Sequence, residues 1–327
     1  MKNQKILIDA FGCDDPDSLI RGIAETLNTL PTVELAVAGH KEKIESVLAP
    51  LSFDRSRLEI LHAEEIITNN DGPTAAVRTK KNSSLSVACR ALKEREDIGA
   101  MISAGNTGAV LCASVLLVGK KEGMDRPALA CFVPNDGGGI TAIADCGASV
   151  DCRPEQLLRF AETCNDYMKS VYGLENPRIG LLSVGTEDTK GNEQTKATFK
   201  LLKESCLNFV GNMEAKTALS GNYDVIVSDG FSGNVLLKSI EGTAKSVAAR
   251  MTGYLLEYLP EGTDMTFIKK ALGKLFSTLD FNTMGGAVLL GIKKIVIKAH
   301  GAATAETVVN TVKQALSMID GGFADTL

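Results

Sequence analysis

Four glycine-bearing turns hold the residues with chemistry to offer, and each follows a short apolar run. They are Asp9-Ala10-Phe11-Gly12, Ser103-Ala104-Gly105-Asn106-Thr107-Gly108, the SVGTEDTKGNE segment from Ser183 to Glu193, and Asp229-Gly230-Phe231-Ser232-Gly233-Asn234. Amides, hydroxyls, carboxylates and one lysine, Lys190, suit a phosphate and a polarised carbonyl. Glycine lets the backbone turn tightly against a ligand, and the free N–H groups of a helix's first turn favour an anion. In parallel sheets, ligands gather beyond the carboxyl ends of the strands. Four turns at that topological position predict one polar cleft. Simpler roles compete: Glu193 and Asp229 can cap the helices that follow them, and Lys190 can simply be solvated.

Several other chemistries lack their signatures. There is no GxxxxGK[ST] for a phosphate-binding loop, no GxGxxG after the first strand, and no GxSxG elbow. His40, His62 and His300 do not have zinc spacing, so no metal is expected, and no cofactor. The eight cysteines are scattered without a CxxC pair, which fits small buried hydrophobes in a reducing cytoplasm. Cys112, Cys146 and Cys152 have no histidine beside them in sequence to activate a thiolate. Aromatic residues make up 5% of the chain, Trp is absent and the formal charge is −5, so nucleic acid is not an expected partner. An acidic protein partner needs a local basic patch. Met1-Lys2-Asn3-Gln4-Lys5 runs into a strand without a signal-peptide core. No stretch reaches the roughly 18 apolar residues of a membrane span. A cytoplasmic chain is the expectation.

The elements that must position these turns are legible as alternating short β-branched runs and longer amphipathic segments. Strands are predicted at Lys5–Ile8, Glu34–Ala38, Leu58–Leu61, Ala100–Ser103, Leu129–Val133, Thr141–Asp145, Ile179–Ser183, Asn208–Val210, Val225–Val227 and Ile295–Lys298. Helices are predicted at 17–29, 41–49, 83–95, 107–119, 153–172, 191–205, 233–258, 264–280 and 303–318. The alternation implies an α/β fold, a doubly wound, mostly parallel sheet with helices on both faces. The segment Pro134 to Gly139 joins two strands as a local antiparallel hairpin. No linker divides the 327 residues, so a single domain is expected, with a helical pair at about 233–280 as its subregion.

Longer motifs resemble the PlsX family of acyl-acyl-carrier-protein:phosphate acyltransferases. They are ISAGNTGA (102–109), GMDRPALA (123–130), DCGASVDCRPE (145–155), PRIGLLSVGTEDTKGNE (177–193), DGFSGNVLLKSIEG (229–242) and GGAVLLGIKKIVIKAHG (285–301), with DGPTAAVRTKKNSS (71–84) as a weaker match. The resemblance implies a Rossmann-like homodimer that moves a fatty acyl group from acyl carrier protein to inorganic phosphate, yielding an acyl phosphate for phospholipid synthesis. The first loop departs from the pattern: Cys13 stands where glycine is usual and Asp15 where histidine is common.

Under that resemblance phosphate is the nucleophile, and no covalent enzyme intermediate is needed. Lys190 and Lys298 are candidates for phosphate charge, with Arg78 and Lys81 as alternates. Asn106, Asn192 and Asn234 are candidates to donate to the carbonyl oxygen or orient phosphate. His300 or a water would protonate the thiolate, although a lone His beside an apolar strand also suits a structural hydrogen bond. Asp9, Gly12, Gly105, Thr107, Gly108, Gly191, Glu193, Asp229, Gly230 and Gly233 complete the binding set. The apolar pair Tyr254–Leu259 and Met265–Leu279, joined by Pro260-Glu261-Gly262, can pack a dimer or dip into a membrane at its inner face. Glu261 and Asp264 at the tip oppose anionic lipid and favour the dimer. Lys245, Arg250, Lys269, Lys270 and Lys274 offer a basic surface to the acidic carrier. A short-chain enzyme using acyl-CoA, a non-catalytic acyl-carrier or membrane scaffold, and a dehydrogenase of related fold stand as alternatives.

Overall fold

The computed structural model describes residues 4–260, 262–279 and 284–327, with side chains except those of 275–279. Its strands are β1 (Lys5–Asp9), β2 (Leu35–Gly39), β3 (Leu58–His62), β4 (Ile98–Ser103), β5 (Ala128–Pro134), β6 (Ile140–Ala144), β7 (Ile179–Ser183), β8 (Phe209–Glu214), β9 (Val225–Val227), β10 (Ala287–Leu290) and β11 (Ile295–Lys298). The helices are α1 (Pro16–Thr29), α2 (Lys41–Leu48), α3 (Pro73–Thr79), α4 (Ser84–Glu94), α5 (Thr107–Ala113), α6 (Pro154–Tyr172), α7 (Glu193–Glu204), α8 (Gly230–Tyr258), α9 (Met265–Leu279) and α10 (Ala305–Asp320). All eleven strands form one sheet in the order β3-β2-β1-β4-β11-β10-β5-β6-β9-β7-β8.

Strand direction decides where the turns go. From β3 to β11 every pairing is parallel, as it is from β6 to β8. Between these halves lie three antiparallel pairings, β11 with β10, β10 with β5 and β5 with β6. An odd number of reversals turns the second half upside down. The carboxyl ends of β1, β4 and β11 therefore emerge at one edge of the sheet, and those of β6, β7 and β9 at the other. The expected hairpin is present as β5–β6. The four-residue β10 was not expected, because its two preceding glycines and its brevity leave no period to read, and α3 at seven residues is equally short. The long helix α8 begins at Gly230, three residues earlier than the apolar periodicity indicates.

Alternation along the strands divides the core. One face of the sheet packs Ile6, Ile8, Ala130 and Phe132 under α1, α6 and α10. The other face carries Leu7, Met101 and Val296 under α4 and α5, and Val133, Ile143 and Ile226 under the start of α8. Among the described residues, the central strands leave a concavity on this second face, at Leu129, Cys131 and Ala287. Beyond about residue 241, α8 leaves the sheet, and only Ala248 of its later residues is buried. Val247, Met251, Tyr254, Leu255, Leu256 and Tyr258, with Phe267 of α9, are exposed on this arm. Glu261 lies outside the described residues, as do the side chains of Leu275, Phe276 and Leu279. Among the described residues, no helix is long and apolar enough to cross a membrane.

Candidate functional site

Register brings three distant residues into a row. Asp9 lies opposite Ser103 across β1–β4, and Ser103 lies opposite Lys298 across β4–β11. Each ends its strand and shares one sheet face, because the residues before them, Ile8, Ile102 and Ile297, belong to the opposite core. The Ser103 hydroxyl donates to Asp9 Oδ2 at 2.7 Å and accepts from Gly105 N at 3.2 Å. Burial raises the Asp9 carboxyl to about 6, against the pull of hydrogen bonds from serines and the nearby Lys298 charge. Lys298 is only 8% exposed, and its ammonium donates to the carbonyl of Ala104 at 3.4 Å and to that of Ala299. Desolvation holds it down at about 8, while Cys13, Asp9 and Asp14 act to raise it. The loop after β1 is tied in by Asp14 N, which donates to Gly301 O at 3.0 Å. Gly12 adopts φ +84, and a Cβ there would lie 2.6 Å from Ile67 O, so this turn requires glycine for packing as well as for conformation.

Lys298 opens into this concavity, of about 400 Å³, over the central strands. Leu129 and Cys131 of β5 line it, with Thr107, His300, Lys238 and Asn234 around them. Asn234 Nδ2 donates to Cys146 O at 3.0 Å. His300 is exposed, and its Nδ1 accepts from Ala302 N at 3.2 Å. The wall at Cys146 and Gly147 is built by Asp145, a residue the sequence reading did not single out. Its buried carboxylate accepts four backbone N–H groups, from Leu129, Gly147, Ala148 and Ser149, at 2.7–3.1 Å. The available signal was an aspartate leading a Cys-Gly-Ala-Ser turn. Gly230 and Gly233 serve this same turn: a Cβ at Gly233 would sit 2.0 Å from Asp145 O, and one at Gly230 2.5 Å from Ser149 O. Both glycines let α8 close on the Asp145 turn.

A second concavity, of about 410 Å³, lies beyond the carboxyl ends of β7 and β9. Gly191, Asn192 and Asp229 line it together with Leu182, Val235 and Leu236. The two concavities flank α8: Asn234, Leu237, Lys238 and Glu241 recur at helical spacing on one side, and Ser232, Val235, Leu236 and Ser239 on the other. The expectation of one polar cleft is thereby corrected. With the second half reversed, Asn192 and Asp229 line the second concavity and Lys190 neither, so these three do not join Lys298, while Asn234 of the β9 turn reaches it from the other flank of α8.

Other candidates are placed as follows. Asn106 caps α5 by accepting from Ala109 N at 2.9 Å, Asn192 caps α7 by accepting from Thr195 N at 2.8 Å, and Asp229 caps α8 by accepting from Ser232 N at 2.7 Å. Lys190 is exposed with no ion pair among the described residues, and Glu193 is exposed in the first turn of α7. Gly105 is buried beside Ser103, Gly108 packs against Pro73, and Gly191 takes φ +104 against Thr195. Arg78 and Lys81 are exposed on and after α3 and line neither concavity. No cluster of His, Cys, Asp or Glu suited to a metal occurs among the described residues.

Comparison with known proteins agrees with this architecture. A family model described as "Fatty acid synthesis protein" matches residues 4–326. A protein named phosphate acyltransferase from Clostridioides difficile is 42% identical over 318 residues, covering 97% of this chain and 93% of the relative. One of the same name from Geobacillus thermodenitrificans is 43% identical over 325 residues, covering 98% and 97%. Among solved structures, a phosphotransacetylase from Streptococcus pyogenes superposes with TM-score 0.60 at 17% identity, covering 97% of this chain and 95% of that one. A 4-hydroxythreonine-4-phosphate dehydrogenase from Klebsiella pneumoniae gives 0.58 at 13%, covering 96% and 98%. These structural likenesses concern the fold alone. On the strength of the near-complete family match and the full-length relatives, the chain belongs to the fatty acid synthesis protein family, whose curated relatives are named phosphate acyltransferases.

Proposed function

We propose that this protein transfers a fatty acyl group from acyl carrier protein to inorganic phosphate, releasing an acyl phosphate for phospholipid synthesis. The observation that carries the reading is the Lys298 concavity: a buried ammonium with only carbonyl acceptors, opening beside an amide side chain and a helix start. Asp9 and Asp14 lie near enough to act on this ammonium without hydrogen-bonding it, and a multiply charged oxyanion gives it a direct charged partner.

In this reading a phosphate oxygen attacks the thioester carbonyl, a C–O bond forms, and collapse of the tetrahedral oxyanion breaks the C–S bond. Lys298 holds the phosphate, and Thr107, at the first turn of α5, adds a hydroxyl and a backbone N–H. The second Nδ2 hydrogen of Asn234 is free to donate to the carbonyl oxygen as charge develops on it. Asp9 and Ser103 position the strand ends behind Lys298. The expelled thiolate needs little help: His300, whose Nδ1 already accepts a bond, offers Nε2–H as a hydrogen bond to the sulfur, and water supplies the proton. Lys190 contributes a second positive charge on the other side of α8, and Asn192 and Glu193 shape that loop.

The projecting arm of α8 and α9 packs a homodimer in the cytoplasm. The seven exposed large apolar side chains among its described residues support that reading, since a patch of this kind marks an association surface. Exposed Lys245, Arg250, Lys269 and Lys270 on the same arm suit the acidic carrier protein. The decisive experiment follows free carrier thiol from palmitoyl-acyl-carrier protein with and without inorganic phosphate. Phosphate-dependent release with acyl phosphate as product is expected. Release that ignores phosphate, or no release from a folded enzyme, sinks the proposal.

A further inference from the structure

The two substrates of an acyl transfer to phosphate differ as much as substrates can, one an anion and one a long alkane, and two unlike concavities flank the start of α8. The Lys298 side carries Lys238, Glu241 and His300 as well, so methylenes packed there would strand ionisable groups away from water. On the opposite flank, Asp229 is the single ionisable residue lining the space among the described residues, and its carboxylate is occupied by the N–H and hydroxyl of Ser232. Most of the exposed wall is apolar, from Leu157, Leu181, Leu182, Val184, Val235 and Leu236, and the polar residues other than Asp229 are uncharged. Lys190 is exposed and does not line this space, so an anion inside it meets a carboxylate and no cation among the described residues.

A path joins the two flanks. At 100° per residue, Phe231 and Val235 fall between Asn234 on one side and Leu236 on the other. Phe231 is 62% exposed and Val235 50%, and Val184 across the mouth is 79% exposed. Three large apolar side chains left bare at the rim of an apolar cavity have a use if an alkyl chain covers them. At the polar end of the cavity, the Ser183 hydroxyl oxygen is buried without a hydrogen-bond partner.

We infer that the concavity between the β7 and β9 loops and α8 receives the alkyl chain of the acyl substrate, which crosses the Phe231–Val235 ridge from the carbonyl beside Asn234. This rests on the acyltransferase reading for the identity of the substrate, but the cavity can be tested without turnover. Its volume of about 410 Å³ lies within the range of ordinary ligand sites. Each methylene moved from water to such a wall is worth about fourfold in affinity, so chain length is discriminated here.

The chain contains no tryptophan, so Phe231→Trp installs a single reporter on the exposed ridge. Titration with 9,10-dibromostearate is expected to quench its emission saturably, and adding Val235→Asp, also at an exposed position, is expected to weaken that binding at least tenfold. In turnover, Val235→Asp is expected to lower kcat/KM for palmitoyl-acyl-carrier protein by tenfold or more and that for the butyryl carrier by less than threefold. Absence of quenching, or equal losses for both chain lengths, overturns the assignment. Equal losses together with a changed sedimentation coefficient would show that a second copy covers the ridge, which also overturns it. If quenching occurs but neither carrier releases thiol with phosphate, the alkyl site stands and the acyltransferase reading fails instead.

Discussion

Replacement of Lys298 by methionine isolates the charge on which the phosphate site depends. Methionine keeps the length and apolar stem of the side chain and removes the ammonium. A unit charge about 4 Å from one charge of bound phosphate is worth about 4 kcal/mol at an effective dielectric near 20. Water at the open mouth reduces this, so about 2–4 kcal/mol of transition-state stabilisation should be lost. That corresponds to about 30- to 1000-fold in kcat/KM for phosphate. A pH profile adds a readout that a packing defect would not reproduce. Lys298 sits at about 8 because of burial, so its positive charge is present below that pH and lost as pH rises through it. Wild-type kcat/KM should therefore fall above pH 8, while the low activity of Lys298→Met should show no such limb. Taking the ratio of the two profiles cancels the titration of phosphate itself. In kcat the limb should move to higher pH, since bound phosphate stabilises the charged amine. Activity in Lys298→Met within threefold of wild type, or an unchanged alkaline limb, would refute the assignment.

Asp9→Asn tests the buried carboxyl behind the row. A carboxyl raised from 3.8 to about 6 binds protons more tightly when folded, so its contribution to stability falls as pH rises from about 4 to about 6. Urea unfolding at pH 4 and pH 7 should show the wild type losing about 2 kcal/mol more than Asp9→Asn across that interval. Asn234→Ala should lower kcat by about 100- to 1000-fold with little change in KM for phosphate, as expected for a donor used in the transition state. Thermal unfolding of that variant should shift by only a few degrees, because one partly exposed hydrogen bond to Cys146 O is lost. Gly233→Ala places a methyl 2.0 Å from a backbone carbonyl and should cost about 3 kcal/mol or more in unfolding free energy, whereas Gly253→Ala, with open space around it, should be neutral or stabilising.

The amino-acid sequence by itself determined the elements and the chemistry on offer. Apolar runs of period 2 and helices with strong caps set local structure over a few residues, and these are the distances at which propensity and periodicity act. The strands, the long helices, the β5–β6 hairpin and the family motifs were readable for that reason. Lys298 and Asn234 stood out as residue types suited to an oxyanion and a carbonyl.

Tertiary structure alone decided which of them meet. The row Asp9–Ser103–Lys298 exists because β11, nearly 200 residues after β4, pairs beside it in parallel register. Three antiparallel pairings, two involving the unexpected β10, turned the second half of the sheet around. That reversal separated Lys190 and Asn192 from Lys298, a result no local pattern encodes, because strand direction is set by which edges pair across the whole domain. Asp145 became structurally central only when four backbone amides converged on it, and Gly233 only when α8 closed on that turn. Residue types specify what chemistry is available. Long-range register specifies which of those residues share a cavity.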